Sequence, residues 1–389
     1  MSAAADRLTL SQPSARLGAS SGSVSGLTMR VLDGEAWDRL IADFDDVCQE
    51  QLHAFASVRW GRVDLEPVVF ERDGEIIGGA LMMIQALPLS LACIALSKWG
   101  PMLRDEARPD AATLYSSMLD ALIAEYAGRR HQMLSIMPHA SVDQGNWRYQ
   151  SLLARGFKAG TALAFPDRYI VRLPLSDAEQ RKSFAQKWRY HLNKAEKAGL
   201  SFEHAPAERV GDFDRLYRAM TDRKQFPDYS AYDTVAMLVA LESDKLRPEL
   251  FFVRHEGELV AGAVIFKAGR RAVYLYGATN DKALPLRAGY FMHWHIIRWL
   301  RDNTQAEWYD LGGTDGFQGL HQFKKGMVGD AGLVSSIPPM VNYASSPVAY
   351  LLGNGAFLAR EGFHKLRNRL SSALRREAKP DQARSETDQ

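Results

Sequence analysis

The sequence lacks the cysteine content of a disulfide-rich or zinc-binding protein. It contains two cysteines in 389 residues, Cys48 and Cys93, and they form no CxxC pair. This spacing argues against a disulfide framework and against a zinc site, and it indicates reduced thiols, as expected in the cytoplasm. Neither cysteine lies beside a histidine-bearing motif, so nothing in the sequence suggests a thiol nucleophile.

Long apolar runs and an excess of one charge are also missing. The longest apolar run covers residues 86–96, includes Pro88 and is too short to cross a bilayer. Lysine and arginine number 48 against 46 acidic residues, so any contact with nucleic acid must come from a local patch. The first 29 residues, rich in Ser, Ala and Gly, are predicted to form a disordered leader and not a signal peptide.

What the sequence does contain is an internal repeat. Residues 68–81 align without a gap with residues 251–264, and each copy reads as a strand, an acid-Gly-Glu turn and a second strand. Chance similarity between two common hairpins is the alternative explanation. The length of the chain suits two domains. We therefore predict a duplicated α/β fold of mixed sheets flanked by helices, with units at 30–175 and 176–340 and a basic helical tail at 341–389 whose end is disordered.

The helix predicted from Ser176 to Gly199 has the clearest charge pattern. Ser176 and Glu179 form a capping box at its start, and Gly199 is a natural C-terminal stop. Its apolar face carries Trp188, and the neighbouring face is basic. The basic residues are Lys187, His191 and Lys194, whereas Arg189 falls on the opposite side. This face is either a solvated flank or an anion-binding wall.

The segment from Tyr274 to Gly326 is the most informative part of the chain. It reads as an aromatic strand, a helix, a second strand ending in YDLGG, a glycine-rich loop and the turn GLHQFKKGM. Strand ends and flexible loops are where sites collect on α/β scaffolds. Tyr274 and Tyr276 alternate along their strand and are expected to share a face, with aromatic core packing as the default explanation.

This segment resembles the Fem family, the aminoacyltransferases that use aminoacyl-tRNA to extend the peptidoglycan stem peptide. The run QKWRYHLNKAEKAGL is similar to a Fem segment of the type KxRxxIRKAxKxG. The repeated hairpin resembles the central hairpin of the GNAT acyltransferase fold, which Fem proteins carry twice. The resemblance covers nearly all of residues 30–340. It implies a bacterial, cytoplasmic acyltransferase of cell wall biogenesis with tandem GNAT-like domains and no tightly bound cofactor.

The resemblance also implies a chemistry, in which an amine attacks an ester or thioester carbonyl and the enzyme aligns the reactants and stabilises the oxyanion. Asp310, Asp315 and Lys324 are the candidate catalytic residues, although Asp310 is as readily a structural carboxylate. The candidate substrate-binding residues are Lys187, Arg189, Lys194, Arg223, Tyr276 and Lys325. They would bind a phosphorylated amine acceptor, linked to a nucleotide or a lipid, or the 3′ end of a tRNA.

Two other functions remain open. A GNAT N-acyltransferase of cell-envelope or exopolysaccharide biosynthesis would take its acyl group from acyl-CoA, with Gly289 in the pyrophosphate loop, but Leu286 and Phe291 depart from that motif. A non-catalytic scaffold that binds a phosphorylated ligand is the third possibility. The basic amphipathic tail also allows peripheral membrane contact. His293 and His295 cannot present a common ligand face, so a metal is not expected.

Overall fold

Two mixed β-sheets, each flanked by helices, make up most of this computed structural model. The structure describes residues 26–88, 92–143, 145–160, 165–224, 231–314, 316–360 and 362. The predicted α/β class with mixed sheets is confirmed.

The N-terminal part of the chain builds most of the first sheet. Its strands are β1 (Leu27–Val31), β2 (Asp64–Arg72), β3 (Glu75–Ala86), β4 (Cys93–Lys98), β5 (Met102–Leu103), β6 (Met133–Met137) and β7 (Lys158–Ala159). Its α-helices are α1 (Gly34–Ile41), α2 (His53–Arg59), α3 (Ala111–Leu122), which continues as a π-helix to Arg129, and α4 (Trp147–Ala154). Helix α1 ends at Ile41, and a short 3₁₀ turn occupies Gln49–Gln51 before α2.

The C-terminal part builds the second sheet. Its strands are β8 (Arg168–Arg172), β9 (Leu200–Ala205), β10 (Glu249–His255), β11 (Glu258–Phe266), β12 (Arg271–Thr279), β13 (Trp308–Asp310) and β14 (Leu333–Ser335). Its helices are α5 (Asp177–Ser183), α6 (Gln186–Glu196), α7 (Val210–Lys224), α8 (Val235–Val239), α9 (Ala283–Leu286), α10 (Ala288–Asn303) and α11 (Gln318–Val328). Strand β15 (Val341–Tyr343) and helix α12 (347–360) follow.

The two sheets have the same topology. The strand orders are β1-β2-β3-β4-β6-β15-β7 and β9-β10-β11-β12-β13-β8-β14, and in each sheet the fourth and fifth strands form the parallel pair. The hairpins β2–β3 and β10–β11 also share a β-bulge, which follows Phe70 in one and Val253 in the other. Asp73 and Glu256 occupy the same turn position with φ of 52° and 50°. The predicted duplication is therefore present down to the hairpin turn.

The sheets do not follow the boundaries predicted at residues 175 and 340. Strand β8 lies before the first boundary but pairs with β13 and β14 in the second sheet. Strand β15 lies after the second boundary but pairs with β6 and β7 in the first sheet. Each sheet thus receives its sixth strand from a segment that the sequence assigned to the other unit or to the tail.

A shared hydrophobic cluster joins the two units. The first unit contributes side chains that include Trp37, Phe44, Phe55 and Leu81, and the second contributes Leu238, Leu246, Phe266 and Val273. All eight side chains are buried. Burial of apolar surface from both units favours one packed body over two independent domains.

The helix predicted from Ser176 to Gly199 is broken in the middle. The capping box of Ser176 with Glu179 is confirmed, and Gly199 has the positive φ expected at a helix stop. Between α5 and α6, however, Phe184 adopts an extended conformation and packs its ring 4.3 Å from that of Trp188. Burial of an aromatic ring at this point outweighs the local preference for a continuous helix.

Candidate active site

The second sheet opens where β12 and β13 diverge. The two strands pair in parallel only from Arg271 to Val273 and from Trp308 to Asp310. Beyond this point β12 carries a bulge, and β13 ends in the loop 311–314. Ligands of α/β proteins bind outside the carboxyl ends of strands, so this opening is the expected place for a reacting group.

The same bulge separates the two tyrosines that the sequence placed on one face. Tyr276 pairs with Val264 and Tyr274 with Ile265, which leaves Leu275 as the extra residue. Tyr274 packs against the cluster between the sheet and α10, whereas Tyr276 belongs to the cluster under α7 and α8. The expectation of a shared face is wrong because one inserted residue reverses the alternation.

Asp310 is fully buried at the end of β13 and bound to the protein itself. Arg168 Nε lies 3.0 Å from both carboxylate oxygens, and the Gly312 amide donates to Oδ1 at 2.9 Å. These bonds occupy the carboxylate from two sides. The geometry supports the structural alternative for Asp310, which positions the strand end and the loop after it.

Lys324 lies in helix α11, not in the turn that the sequence predicted. The side chain is 6% exposed, and Nζ donates to the carbonyl oxygens of Leu311 and Gly313, both at 2.5 Å. Lys324 therefore holds the loop 311–314 against α11. Its neighbour Lys325 points in another direction and is exposed, because successive helical residues point about 100° apart.

A cationic cleft lies between α6, α11 and the start of α10. Its volume is about 320 Å³, and Lys187, Trp188, His191, Arg287, Tyr290, Gln322 and Phe323 are among its lining residues. The rings of Trp188 and Phe323 lie 5.2 Å and 4.8 Å from that of Tyr290. An aromatic surface beside positive charges suits a ligand that has both planar rings and phosphates.

Three buried polar atoms around the cationic cleft have no hydrogen-bond partner among the residues that the structure describes. They are Trp188 Nε1, His191 Nδ1 and Arg287 Nε. Burial lowers the pKa of His191 below its usual value, and the neighbouring charges of Arg287, Lys187 and Lys194 lower it further. Buried polar groups are normally paired, so three unpaired ones at a single cleft indicate that a ligand or water completes the site.

Arg287 is a residue that the sequence did not indicate. It joins α9 to α10 with φ of 59° and ψ of 31°, a left-handed conformation that a side chain rarely adopts. Backbone strain of this kind persists where the surrounding structure requires it, often at functional sites. In the sequence, only its positive charge within the run LRAGYF could have drawn attention to it.

Several predicted site residues lie away from this cleft. Arg189 donates to the backbone carbonyls of Lys182 and Phe184 at 2.9 Å and 2.6 Å, where the break between α5 and α6 leaves them available. Tyr276 donates to Ala231 O at 2.6 Å within the core. Arg223 pairs with Asp281 at the end of β12. Of the predicted substrate-binding residues, Arg189, Arg223 and Tyr276 therefore do not line the cleft that Lys187 lines.

The remaining candidates are less constrained. Lys194 is exposed on α6 next to the cleft, and Asp315 lies outside the described residues. Gly289 lies inside the first turn of α10, and an added Cβ there would be 3.7 Å from Phe323, an ordinary contact. The glycine therefore makes no close approach that only glycine allows. Within the described residues, no cluster of His, Cys, Asp and Glu is suited to a metal ion.

Comparison with known proteins agrees with the topology and with the site segment. Residues 182–325 match the family described as "Acetyltransferase (GNAT) domain". The chain is similar in fold to the crystal structure of FemX, with a TM-score of 0.65, 20% identity and coverage of 84% of this chain and 99% of that one. The chain therefore shares the fold of FemX, and its residues 182–325 match a GNAT domain.

Two sequence relatives of this chain are, by name, an alanyltransferase and a glycyltransferase. It is 28% identical over 128 residues to the UDP-N-acetylmuramoylpentapeptide-lysine N(6)-alanyltransferase of Weissella viridescens, covering 32% of this chain and 37% of that relative. It is 22% identical over 337 residues to the Lipid II:glycine glycyltransferase of Staphylococcus aureus (strain MRSA252), covering 65% and 78%. The first match thus spans little more than a third of the relative's length. None of the helices that the structure describes has the length and apolar character to cross a membrane.

Proposed function

We propose that this chain is a Fem-type aminoacyltransferase that moves an aminoacyl group from the 3′ end of a tRNA onto an amine acceptor. The amine nitrogen attacks the ester carbonyl carbon, so that a C–N bond forms and the C–O bond to the ribose breaks. The departing 3′-hydroxyl takes up the proton that the amine loses. Alignment of the two reactants is the main task for the protein, because an amine is already nucleophilic.

The observation that carries the proposal is the mixed aromatic and cationic character of the cleft between α6, α10 and α11. The partly exposed Tyr290 and Phe323 offer ring surfaces, with the buried Trp188 packed against them, and Lys187 and Arg287 offer charge. Stacking on aromatic rings together with phosphate contacts is how proteins hold single-stranded nucleic acid. The positive N-terminal end of α10 adds to the attraction for phosphate.

Lys324 and Asp310 act as positioning residues in this proposal. The two hydrogen bonds from Lys324 and the ion pair of Asp310 with Arg168 shape the loop 311–314. This loop borders the opening between β12 and β13, where the ester carbonyl would lie. Its backbone, and not a side-chain base, then sets the position of the reacting carbonyl.

The acceptor is proposed from the relatives. Their names describe acceptors linked to a nucleotide, UDP-N-acetylmuramoylpentapeptide, or to a lipid, Lipid II. Both carry phosphate and a peptide amine. A phosphorylated stem-peptide acceptor of one of these two kinds is the natural choice for this chain as well.

An acyl-CoA donor is the alternative, favoured by the match of residues 182–325 to a GNAT acetyltransferase domain. A CoA pyrophosphate is usually bound by the free backbone N–H groups of a glycine-containing loop that opens a helix. Gly289 and Phe291 already lie within α10, behind the left-handed Arg287. This arrangement fits an aminoacyl-tRNA better than CoA.

The test compares donors with the purified full chain. A charged tRNA pool and acetyl-CoA are each incubated with nucleotide-linked and lipid-linked stem peptides, and the product is detected by mass. We expect product when charged tRNA is the donor and no product when acetyl-CoA is the donor. Transfer from acetyl-CoA only would establish the alternative donor, and no transfer from either would leave a phosphate-binding scaffold.

Variants connect the activity with the cleft. Lys187→Ala removes an exposed charge of the cleft, and we expect KM for charged tRNA to rise about tenfold, since a charge-assisted contact is worth roughly 1.5–3 kcal/mol. Lys182→Ala removes an exposed lysine of α5 outside the cleft and is the matched control. Equal KM values for the two variants would exclude the cleft as the donor site.

A further inference from the structure

One face of the first sheet bears an apolar surface against which α12 packs. Met83 of β3 pairs with Leu96 of β4, and Ile94 lies two residues before Leu96 on the same strand. Met137 on β6 lies opposite Lys98, the next residue of β4 on this face. Side chains two residues apart on a strand share a face, so these residues form one continuous floor. The opposite face, with Met82 and Ala95, packs against α3.

Above this floor lies a cavity of about 260 Å³ between the sheet and α12. Trp60, Met340 and Phe357 line its other sides, with Met83, Ile94, Leu96 and Met137 below. We call it the α12 cavity. An apolar cavity of about 150 Å³ can stay dry and bind benzene, so this larger one can take an apolar ligand. The three methionines can adjust to chains of different shape.

The edge of the α12 cavity is polar and cationic. Arg360 lines it from the end of α12 and is exposed. Lys98 contributes its stem, while its Nζ pairs with Glu50 at 2.7 Å. The sequence continues with Lys365, Arg367 and Arg369. A ligand with an apolar chain and an anionic head group would place the chain in the apolar cavity and the head group beside the cations at its edge.

Helix α12 itself presents apolar side chains to solvent. Val348, Leu351 and Leu358 are 63%, 71% and 58% exposed. At about 100° per residue they fall on one side of the helix. Exposed apolar residues followed by a basic run are typical of a helix that rests on an anionic lipid surface. The cavity and the exposed stripe therefore favour the same kind of partner.

We propose that the α12 cavity binds the hydrocarbon chain of an anionic amphiphile. The chain lies on the floor formed by Met83, Ile94, Leu96 and Met137, and the head group pairs with Arg360. This site is separate from the cationic cleft of the second unit and goes beyond the proposed transfer. It would bring the first unit to a lipid, where a lipid-linked acceptor is found.

Isothermal titration of the full chain with n-decyl phosphate tests the site without any donor or acceptor. We expect saturable binding, no binding of inorganic phosphate, which lacks the chain, and weaker binding of decyltrimethylammonium, which has the opposite charge. Leu96→Trp fills the cavity and should weaken n-decyl phosphate binding more than tenfold. Leu284→Trp, at a position that is 74% exposed elsewhere, is the matched control and should leave the affinity unchanged.

A second variant keeps the test decisive if Leu96→Trp does not fold. Arg360→Glu changes an exposed side chain and should weaken n-decyl phosphate binding about tenfold, whereas Lys182→Glu on α5 should not. Absence of binding to the wild-type chain, or equal binding to Leu96→Trp and Leu284→Trp, would overturn the proposal. Loss of binding in these assays would not affect the donor test, and failure of the donor test would not affect this one.

Vesicle binding then identifies the source of the hydrocarbon chain. Co-sedimentation with phosphatidylglycerol vesicles that is lost in Leu96→Trp would assign the site to membrane lipid. Binding of n-decyl phosphate without vesicle binding would assign it to a soluble anionic amphiphile. Both outcomes support the same ligand chemistry.

Discussion

Arg168 and Asp310 form an ion pair that joins two neighbouring strands of the second sheet. Arg168 Nε lies 3.0 Å from each carboxylate oxygen of the fully buried Asp310. The guanidinium also lies 5.3 Å from the ring of Trp99, a residue of the first unit. This pair therefore connects the strand end that borders the site with the junction between the units.

Removal of one partner of this pair should destabilise the protein strongly. Arg168→Met leaves the Asp310 carboxylate buried without its cation, which typically costs about 3–5 kcal/mol. Urea unfolding of the full chain measures the loss. Arg172→Met, at an exposed position of the same strand, should change the free energy of unfolding by no more than about 0.5 kcal/mol. Similar values for the two variants would show that the pair contributes little.

Substitution of the adjacent lysines Lys324 and Lys325 by alanine should change the stability of the protein to different extents. Lys324→Ala leaves the carbonyls of Leu311 and Gly313 without their donor, and each buried unsatisfied group costs about 1–3 kcal/mol. Lys325→Ala changes an exposed side chain and should leave the melting temperature unchanged. Thermal unfolding followed by circular dichroism compares them. Equal melting temperatures would contradict the positioning role of Lys324.

Substitution by asparagine should have the same effect on stability at the two equivalent hairpin turns. Asp73 and Glu256 both have positive φ and precede a glycine, as in type I′ turns, where Asn-Gly is preferred. We expect Glu256→Asn and Asp73→Asn each to stabilise the chain by several tenths of a kcal/mol, up to about 1 kcal/mol. Glu256→Val, a β-branched control, should destabilise it. Opposite effects of asparagine at the two turns would argue against their equivalence.

Stability should decrease as the pH falls below about 6.5, the usual pKa of histidine. Burial, with the nearby charge of Lys324, lowers the pKa of His293 to about 3. Burial and Arg271 also hold the pKa of His139 well below its usual value. Unfolded chains take up protons that the folded protein cannot, so the stabilising contribution is complete above pH 6.5 and is lost as the pH falls toward the folded-state pKa.

His293→Phe isolates one of these contributions. Between about pH 7 and about pH 5, the wild-type chain should lose about 2 kcal/mol more of its unfolding free energy than the variant does. Chemical unfolding at the two pH values measures the difference. An identical loss in both proteins would mean that His293 is protonated in the folded state at the lower pH.

Local features were predictable where neighbouring residues alone determine the backbone. The turns at Asp73-Gly74 and Glu256-Gly257 need positive φ, which acid-Gly pairs tolerate, and the strands around them have a clear pattern. The capping box at Ser176 and the stop at Gly199 depend on hydrogen bonds and conformations within one helical turn. The basic face of Lys187, His191 and Lys194 follows from helical geometry in the same way.

Long-range packing decided what those patterns could not. Burial of Phe184 broke a helix that local propensity would have continued, and a single extra residue at Leu275 moved Tyr276 into the core. Lys324 resembles a surface lysine in sequence, yet α11 directs it toward two carbonyls of a loop 11 to 13 residues away.

The sequence by itself determined the duplicated hairpins, the α/β class and the basic face of α6, because these depend on alternation, turn chemistry and helical period. Only the tertiary structure decided the exchange of β8 and β15 between the sheets and the residues that meet at the cleft. Lys187, Arg287 and Phe323 come from three elements that pack together only when the second sheet is complete. Contacts between distant segments depend on shape and burial, which cannot be inferred from local sequence patterns.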